Sequence, residues 1–255
     1  MANQWYDNEY QWIDSPGSEW FLETGVAYSG LYQIWTDDDY VYAATTSGLY
    51  ITDGYTEQQV AYVKPSIGSS DYRTVFADGS YVYIGTATAG VKRFPIEDIL
   101  NGDNIATSLT DYVRSPDITS NSIKYIHGND NNLILCTDEG IDIIYKSSVY
   151  VVNATVSGTP HKCFALNNSY YYTVSGTNSW TLNRVDGIPR NNFVANKTYT
   201  TGVGFLSNAT RINDFYVTEN TSTVGDYNTI FIVTDAGVSV FDEGSENYIE
   251  FTTGL

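Results

Sequence analysis

The feature that most constrains this chain is a pattern that occurs five times along it, at residues 31–53, 72–94, 123–145, 161–182 and 212–241. Each copy reads as an apolar strand, a polar turn rich in Asp, Asn and Gly, a second strand, a turn of the type Thr-x-x-Gly, and a third strand. Self-similarity of this kind is typical of repeat architectures, in which each copy is one supersecondary unit. Local hydrogen bonds account for the Asp and Asn residues of the first turn, because their side chains bond to the backbone two residues on. We interpret the polar residues of this turn as structural; they are Asp37–Asp39, Asp78, Asn129–Asn132, Asn167–Asn168 and Glu219–Asn220.

One apolar residue in each first strand serves as the anchor of its copy; the anchors are Ile34, Val75, Ile126, Phe164 and Phe215. They follow one another at intervals of 41, 51, 38 and 51 residues, close to the repeat of about 40–45 residues found in four-stranded propeller blades. Each interval leaves room for a fourth strand, which we assign in three copies to Gln59–Val63, Val149–Val152 and Asn196–Thr200. Residues 95–102 read as one short helical turn that ends at a glycine. The glycine of each second turn is expected where the hairpin needs a positive φ.

The blade pattern extends from Ile34-Trp35-Thr36-Asp37 to Ser47-Gly48-Leu49 in the first copy, and Thr234-Asp235-Ala236-Gly237-Val238 repeats its end in the last. Over about residues 31–241 the chain resembles the β-propeller repeats of sensor-regulator periplasmic proteins. The resemblance implies an all-β, five-bladed β-propeller with four-stranded antiparallel blades. We expect a single domain over residues 1–255, with a ring closed by the segment 1–30. The blades are expected at about 31–71, 72–120, 121–160, 161–210 and 211–255.

The charge balance excludes one class of partner. The chain has 30 Asp and Glu against 12 Lys and Arg, and Lys92 and Arg93 are its only adjacent basic pair. A protein that neutralises phosphates needs clustered cations, so we expect no nucleic-acid partner and no docking to an anionic membrane. The apolar runs are too short to cross a bilayer, and the first residues show no secretion-signal pattern. We interpret Cys136 and Cys163 as buried thiols within strands, with a bridge between neighbouring strands as the alternative.

A search for chemistry predicts no catalytic residues, no metal site and no cofactor. Paired carboxylates hydrolyse glycosides, but the predicted first strands offer only Asp214. The triple Asp37–Asp39 lacks the alternating ligands, the glycine and the distal Glu of a calcium loop. His127 and His161 have no Cys or acidic partner at ligand spacing, which favours structural or surface roles over metal binding.

One repeat position concentrates cations. Two residues before each anchor, on the same strand face, stand Tyr32, Arg73, Lys124, Lys162 and Asn213. In a propeller this position lies near one mouth of the channel, so Arg73, Lys124 and Lys162 could form an anion-attracting ring. The alternative is that these cations pair with some of the carboxylates.

The chain therefore reads as a non-catalytic binding or assembly module. Its low Lys and Arg content and its abundant Thr, Ser, Asn, Gly and Tyr resemble virion structural proteins of tailed phages. A tail, fibre-attachment or decoration protein would contact other virion proteins and a host-surface glycan, and would be located in the virion; an extracellular or periplasmic location is the alternative. Two further functions stay open: a carbohydrate-binding receptor adhesin that recognises a host-surface glycan, and a five-bladed propeller glycosidase.

Overall fold

The computed structural model describes residues 19–22, 26–37, 39–63, 71–101, 105, 109–187, 194–222 and 225–252. The chain divides into two compact units, residues 1–112 and residues 113–255. In the described part of the chain, no helix is both long and apolar enough to cross a membrane.

The first unit contains a hairpin and two four-stranded sheets. The hairpin pairs β1 (Glu19–Leu22) with β2 (Val26–Ser29). The first sheet consists of β3 (Leu31–Thr36), β4 (Tyr40–Thr45), β5 (Leu49–Asp53) and β6 (Gln59–Val63). The second sheet consists of β7 (Tyr72–Ala77), β8 (Tyr81–Thr86), β9 (Val91–Pro95) and β10 (Thr110–Val113), whose last residue begins the second unit. A short helix, α1 (Glu97–Asn101), connects β9 to β10.

The second unit contains three four-stranded sheets. The third sheet consists of β11 (Ile123–Gly128), β12 (Asn132–Thr137), β13 (Gly140–Tyr145) and β14 (Tyr150–Thr155). The fourth consists of β15 (Thr159–Leu166), β16 (Ser169–Ser175), β17 (Trp180–Asp186) and β18 (Lys197–Thr200). The fifth consists of β19 (Ile212–Ser222), β20 (Gly225–Thr234), β21 (Gly237–Asp242) and β22 (Tyr248–Thr252). A 3₁₀ turn over Gly204–Leu206 precedes β19.

The predicted all-β chain with five four-stranded antiparallel sheets is confirmed. The predicted fourth strands correspond to β6, β14 and β18, and the predicted helical turn to α1. In every sheet the strands lie in the order of the chain, so each sheet forms from one continuous stretch. The single domain and ring closure by residues 1–30 stay predictions. Two stretches of that segment, residues 10–14 and 19–23, have the pattern of strands. Residues 10–14 lie outside the described residues, and residues 19–22 form β1, which pairs with β2.

The anchors occupy equivalent positions in the five sheets. Each lies in the first strand of its sheet and pairs with a residue of the second strand. The pairs are Ile34 with Ala43, Val75 with Ile84, Ile126 with Leu135, Phe164 with Tyr171, and Phe215 with Ile232. Val75 and Ile126 are fully buried, whereas 45% of Ile34 is exposed. Ile34 lies on the face of the first sheet opposite to the one that carries Tyr42 and Ile51, and only the latter face packs into the core of its unit.

Strand alternation distributes the core of the second unit over both faces of the fourth sheet. Tyr170 and Tyr172 pack with residues of the third sheet, and Tyr171, between them, packs with residues of the fifth. All three rings are buried. Successive side chains of a strand point to opposite faces, so three consecutive tyrosines join three sheets.

The turns show why the repeat keeps its residue types. In the first turn, the side-chain oxygens of Asp37, Asp78 and Asn129 accept two backbone N–H bonds each, at 2.7 to 3.1 Å. The structural interpretation of these residues is confirmed. In the second turn of four sheets, a buried Thr hydroxyl donates to the carbonyl of the turn glycine at 2.8 to 3.1 Å. Those threonines are Thr45, Thr86, Thr137 and Thr234.

Two details of the turns were predicted wrongly. Gly48, Gly90 and Gly237 have positive φ, but Gly140 does not; it is required because a Cβ there would lie 2.4 Å from the carbonyl oxygen of Ala154. In the last copy, Glu219 and Asn220 lie within β19, not in a turn, because β19 and β20 pair as far as Ser222 and Gly225.

The fifth sheet buries one face and exposes part of the other. Phe215, Ile232 and Phe241 lie on the buried face. Strand pairing places a second apolar row on the opposite face, and its members are 37 to 60% exposed. These residues are Tyr216, Phe231, Val233, Ile249 and Phe251.

The two cysteines are free and buried, as expected. Cys136 and Cys163 belong to the core between the third and fourth sheets. The Cys163 thiol donates to the carbonyl of Ile134 at 3.3 Å. Burial, and then the neighbouring Cys163 thiol, raises the pKa of Cys136 well above its ordinary value, so this thiol is held protonated.

Candidate functional site

A β-bulge interrupts the first strand of each of the five described sheets, and it falls on the repeat position that concentrates cations. The pairing shifts between Leu31 and Gln33, Tyr72 and Thr74, Ile123 and Tyr125, Pro160 and Cys163, and Ile212 and Asp214. We call the unpaired positions the bulge register: Tyr32, Arg73, Lys124, Lys162 and Asn213. In the fourth sheet the irregularity is wider and also includes His161. A bulge re-aims its side chain away from the regular alternation of the strand.

In the first unit, Tyr32 of the bulge register reaches the start of the second sheet. Its hydroxyl donates to the carboxylate of Asp71 at 3.1 Å, and 46% of the residue is exposed. Burial and the Asp71 carboxylate raise the pKa of Tyr32, and the Arg73 guanidinium partly opposes them. Two residues of the bulge register, Tyr32 and Arg73, therefore interact with each other.

In the second unit, the two lysines of the bulge register are ion-paired. Lys124 Nζ lies 3.1 Å from Asp138 Oδ1, and Lys162 Nζ lies 2.5 Å from Asp214 Oδ2. Lys162 also lies 5.5 Å from the centroid of the Tyr125 ring. The pairing alternative is therefore observed for both lysines. The convergence of Arg73, Lys124 and Lys162 into a ring stays a prediction.

A second arrangement lies beside the bulge positions of the fourth and fifth sheets, and the sequence did not predict it. His161 stacks on Trp180 with ring centroids 4.3 Å apart, and the Arg211 guanidinium carbon lies 5.8 Å from the centroid of the Trp180 ring. We call these three residues the Trp180 cluster. His161 Nε2 also lies 2.8 Å from the hydroxyl of Ser175. The one signal in the sequence is that His161 adjoins the bulge residue Lys162; nothing local indicates its partners.

Two cations act on His161 of the Trp180 cluster. Burial lowers the pKa of His161, and the cations Lys124 and Arg211 lower it further. Carboxylates lie beside these cations: Asp138 pairs with Lys124, and Asp235 accepts the backbone N–H of Arg211.

The other histidine is structural, as expected. His127 is buried, accepts the N–H of Ala165 at Nδ1 at 3.1 Å, and stacks on Phe164 with centroids 4.0 Å apart. Burial lowers the pKa of His127 to about 3, so the imidazole is neutral. No group of three His, Cys, Asp or Glu side chains within the described ranges is placed to hold a metal ion.

Two buried carboxylates are engaged by hydrogen bonds. Glu243 accepts from the hydroxyls of Tyr171 and Tyr199, each at 2.8 Å, and from the guanidinium of Arg184. Burial, and then the Glu243 charge, raises the pKa of both tyrosines, which keeps their hydroxyls protonated as donors. These residues are far apart in the sequence, and no repeat position connects them. The cluster joins the fourth sheet to the turn after β21.

Asp142 is the second buried carboxylate. It accepts from the N–H and hydroxyl of Thr119 and from the Asn153 amide at 2.8 Å. Burial raises the pKa of Asp142 to about 6, and these hydrogen bonds oppose the increase. Its hydrogen bonds fasten the chain before β11 to the third sheet.

No protein-family model matches the sequence, and no curated protein is similar to it. Solved structures do match. The WD40 domain of Toxoplasma gondii coronin aligns with a TM-score of 0.59 at 8% identity, covering 88% of this chain and 58% of that domain. The WD40 domain of Neurospora crassa Pan2 aligns with a TM-score of 0.57 at 15% identity, covering 88% and 67%.

A third match agrees with the resemblance to sensor-regulator propellers. The extracellular domain of BT4673 from B. thetaiotaomicron, described as a hybrid two component system, aligns with a TM-score of 0.57 at 16% identity. The alignment covers 88% of this chain but only 30% of that structure. At these identities the similarity shows the fold alone, which is that of a β-propeller.

Proposed function

We propose that this chain is a non-catalytic binding and assembly module that recognises its partner through the bulge register. The observation that carries the proposal is the contrast between repeat positions. The second turn keeps its Thr in four sheets because the hydroxyl is part of the turn. The bulge recurs in all five sheets, yet its side chain changes from Tyr to Arg, Lys, Lys and Asn. A constant backbone with exchangeable polar side chains is typical of a surface used for recognition.

The partner that we propose is another protein of a virus particle, in which this chain acts as a tail, fibre-attachment or decoration component. The support is compositional: few Lys and Arg, many aromatic residues and a net charge of −18. Arg73, Lys124 and Lys162 are the proposed contact residues for acidic groups of the partner. The pairing of Lys124 with Asp138 and Lys162 with Asp214 means that such groups would compete with these carboxylates. Attachment should therefore weaken as salt increases.

The test is attachment of the purified protein to the particles encoded by the same genome. The triple variant Arg73→Gln, Lys124→Gln and Lys162→Gln is compared with a control that replaces Lys92, Lys146 and Lys197, so that both lose the same charge. Sedimentation with particles at about 50 and 200 mM salt measures binding and its salt dependence. We expect the bulge variant to lose attachment to the particles and its salt dependence, and the control variant to keep both. Equal behaviour of the two variants would contradict the role of the bulge register.

A carbohydrate-binding adhesin is the second candidate function, because the Trp180 cluster combines an aromatic ring with an exposed guanidinium. The glycosidase alternative has less support. Asp142 and Glu243 are both buried, and their carboxylates are engaged by Thr119 and Asn153 or by Tyr171, Tyr199 and Arg184.

A further inference from the structure

The Trp180 cluster contains a cation whose side chain forms no ion pair with the described residues. Arg211 immediately precedes β19 and is exposed. Among the described residues, no carboxylate lies within ion-pair distance of its guanidinium, in contrast to Lys124 and Lys162. The guanidinium instead lies against the Trp180 ring, where the electron-rich face attracts it.

The carboxylate that could have paired with Arg211 is engaged elsewhere. Asp235 accepts the N–H of Arg211 at 3.1 Å, the N–H of Thr210 at 2.9 Å and the hydroxyl of Thr210. These bonds lower the pKa of Asp235, so it stays ionised, and they fix the backbone that carries Arg211. The backbone is held while the N–H groups of the guanidinium remain available to a ligand.

The surroundings of the guanidinium indicate the chemistry of that ligand. A planar guanidinium held against an aromatic ring presents parallel N–H donors that match the two oxygens of a carboxylate. In the chain just before Trp180, Thr177 and Asn178 are exposed and carry hydroxyl and amide groups. The Trp180 ring contacts His161 and the guanidinium, so the polar groups would recognise the ligand: the guanidinium would bind a carboxylate, and the exposed turn would bind hydroxyl groups. A sugar ring that bears a carboxylate has both features.

We propose that the Trp180 cluster binds the carboxylate of a uronic acid residue in an acidic glycan, with Arg211 as the principal contact. The proposal rests on the second candidate function, the carbohydrate-binding adhesin, and names its ligand; Arg211 is not one of the residues altered in the attachment test. Loss of glycan binding and loss of particle attachment can therefore be observed separately.

The experiment is titration calorimetry with hexagalacturonate as the probe, at low salt. Its fully methyl-esterified form, which has no carboxylate, and hexaglutamate, an acidic peptide, serve as comparison ligands. We expect binding of hexagalacturonate only. The variant Arg211→Gln should weaken it about tenfold or more, as expected for the loss of a charge-assisted hydrogen-bonded pair. The exposed Arg114→Gln is the matched control and should bind like the unaltered protein.

Thermal unfolding of both variants shows whether the fold is intact, and because Asp235 holds the backbone of residue 211, Arg211→Gln should melt like the control. Three results would overturn the proposal: no heat of binding with hexagalacturonate, equal affinity of the Arg211→Gln and Arg114→Gln variants, or tighter binding of hexaglutamate. A variant Trp180→Phe gives a second measurement, because it keeps an aromatic face beneath the guanidinium and should retain most of the binding.

Discussion

At the scale of single residues, Asp142 links the stability of the third sheet to pH. Its pKa is about 6 in the folded protein, against about 4 for an Asp in an unfolded chain. Because the folded-state pKa is the higher one, the folded protein takes up a proton first as the pH falls. The contribution of Asp142 to stability therefore increases between about pH 6 and pH 4, by up to about 3 kcal/mol.

The variant Asp142→Asn cannot titrate and should lack this increase. We expect the free energy of unfolding of the unaltered protein, measured in urea, to exceed that of Asp142→Asn by more at pH 4.5 than at pH 7. The exposed Asp130→Asn, in the first turn of the same sheet, is the control for the loss of one acidic group. An equal difference between Asp142→Asn and the unaltered protein at both pH values would contradict the raised pKa.

Residues with local partners were the ones that the sequence could predict. Asp37 and Asn129 bond to backbone groups two and three residues on, so their role follows from the turn alone. Glu243 has partners 44 to 72 residues away, and its cluster exists only once the fourth and fifth sheets pack. No spacing rule connects residues that meet through tertiary packing. The Trp180 cluster was missed for the same reason.

At the scale of elements, the repeat predicted the strands and the matching positions of their anchors, but not the bulges. A bulge adds one unpaired residue and so shifts the alternation of the strand, but in strands of six residues this shift is too short to locate from the sequence alone. The interval between anchors also varied because of connections, such as the segment that contains α1 between β9 and β10. Strand content was therefore predictable, whereas the detailed ladder was not.

The two faces of the fifth sheet give a prediction at this scale. Phe241 is 7% exposed and stacks on Phe205 with centroids 4.7 Å apart, whereas Phe251 is 55% exposed. We expect Phe241→Ala to destabilise the protein by about 3–5 kcal/mol, because it leaves a cavity in the core. Phe251→Ala should change stability by less than about 1 kcal/mol. Both are measured by urea unfolding, and a comparable loss for Phe251→Ala would mean that this face is covered in solution.

At the scale of the whole molecule, the closing role of residues 1–30 stays a prediction that deletion can test. If this segment completes the last blade, a chain of residues 31–255 should present an uncovered sheet edge and aggregate or unfold less cooperatively. Size-exclusion chromatography and thermal unfolding measure both effects. A chain without residues 1–9 keeps both strands expected in the segment and serves as the control. If residues 31–255 melt and elute as the control does, closure by this segment is refuted.

The continuous origin of each sheet also has a kinetic consequence. Paired residues such as Ile34 and Ala43, or Tyr50 and Tyr62, are separated by few positions in the chain. The loops that must close during folding are therefore short, and closing a short loop costs little conformational entropy. Local pairing favours fast formation of each sheet, in contrast to sandwiches whose neighbouring strands come from distant parts of the chain. Each sheet can form as soon as its own stretch has left the ribosome, before the residues of the next sheet have been synthesised.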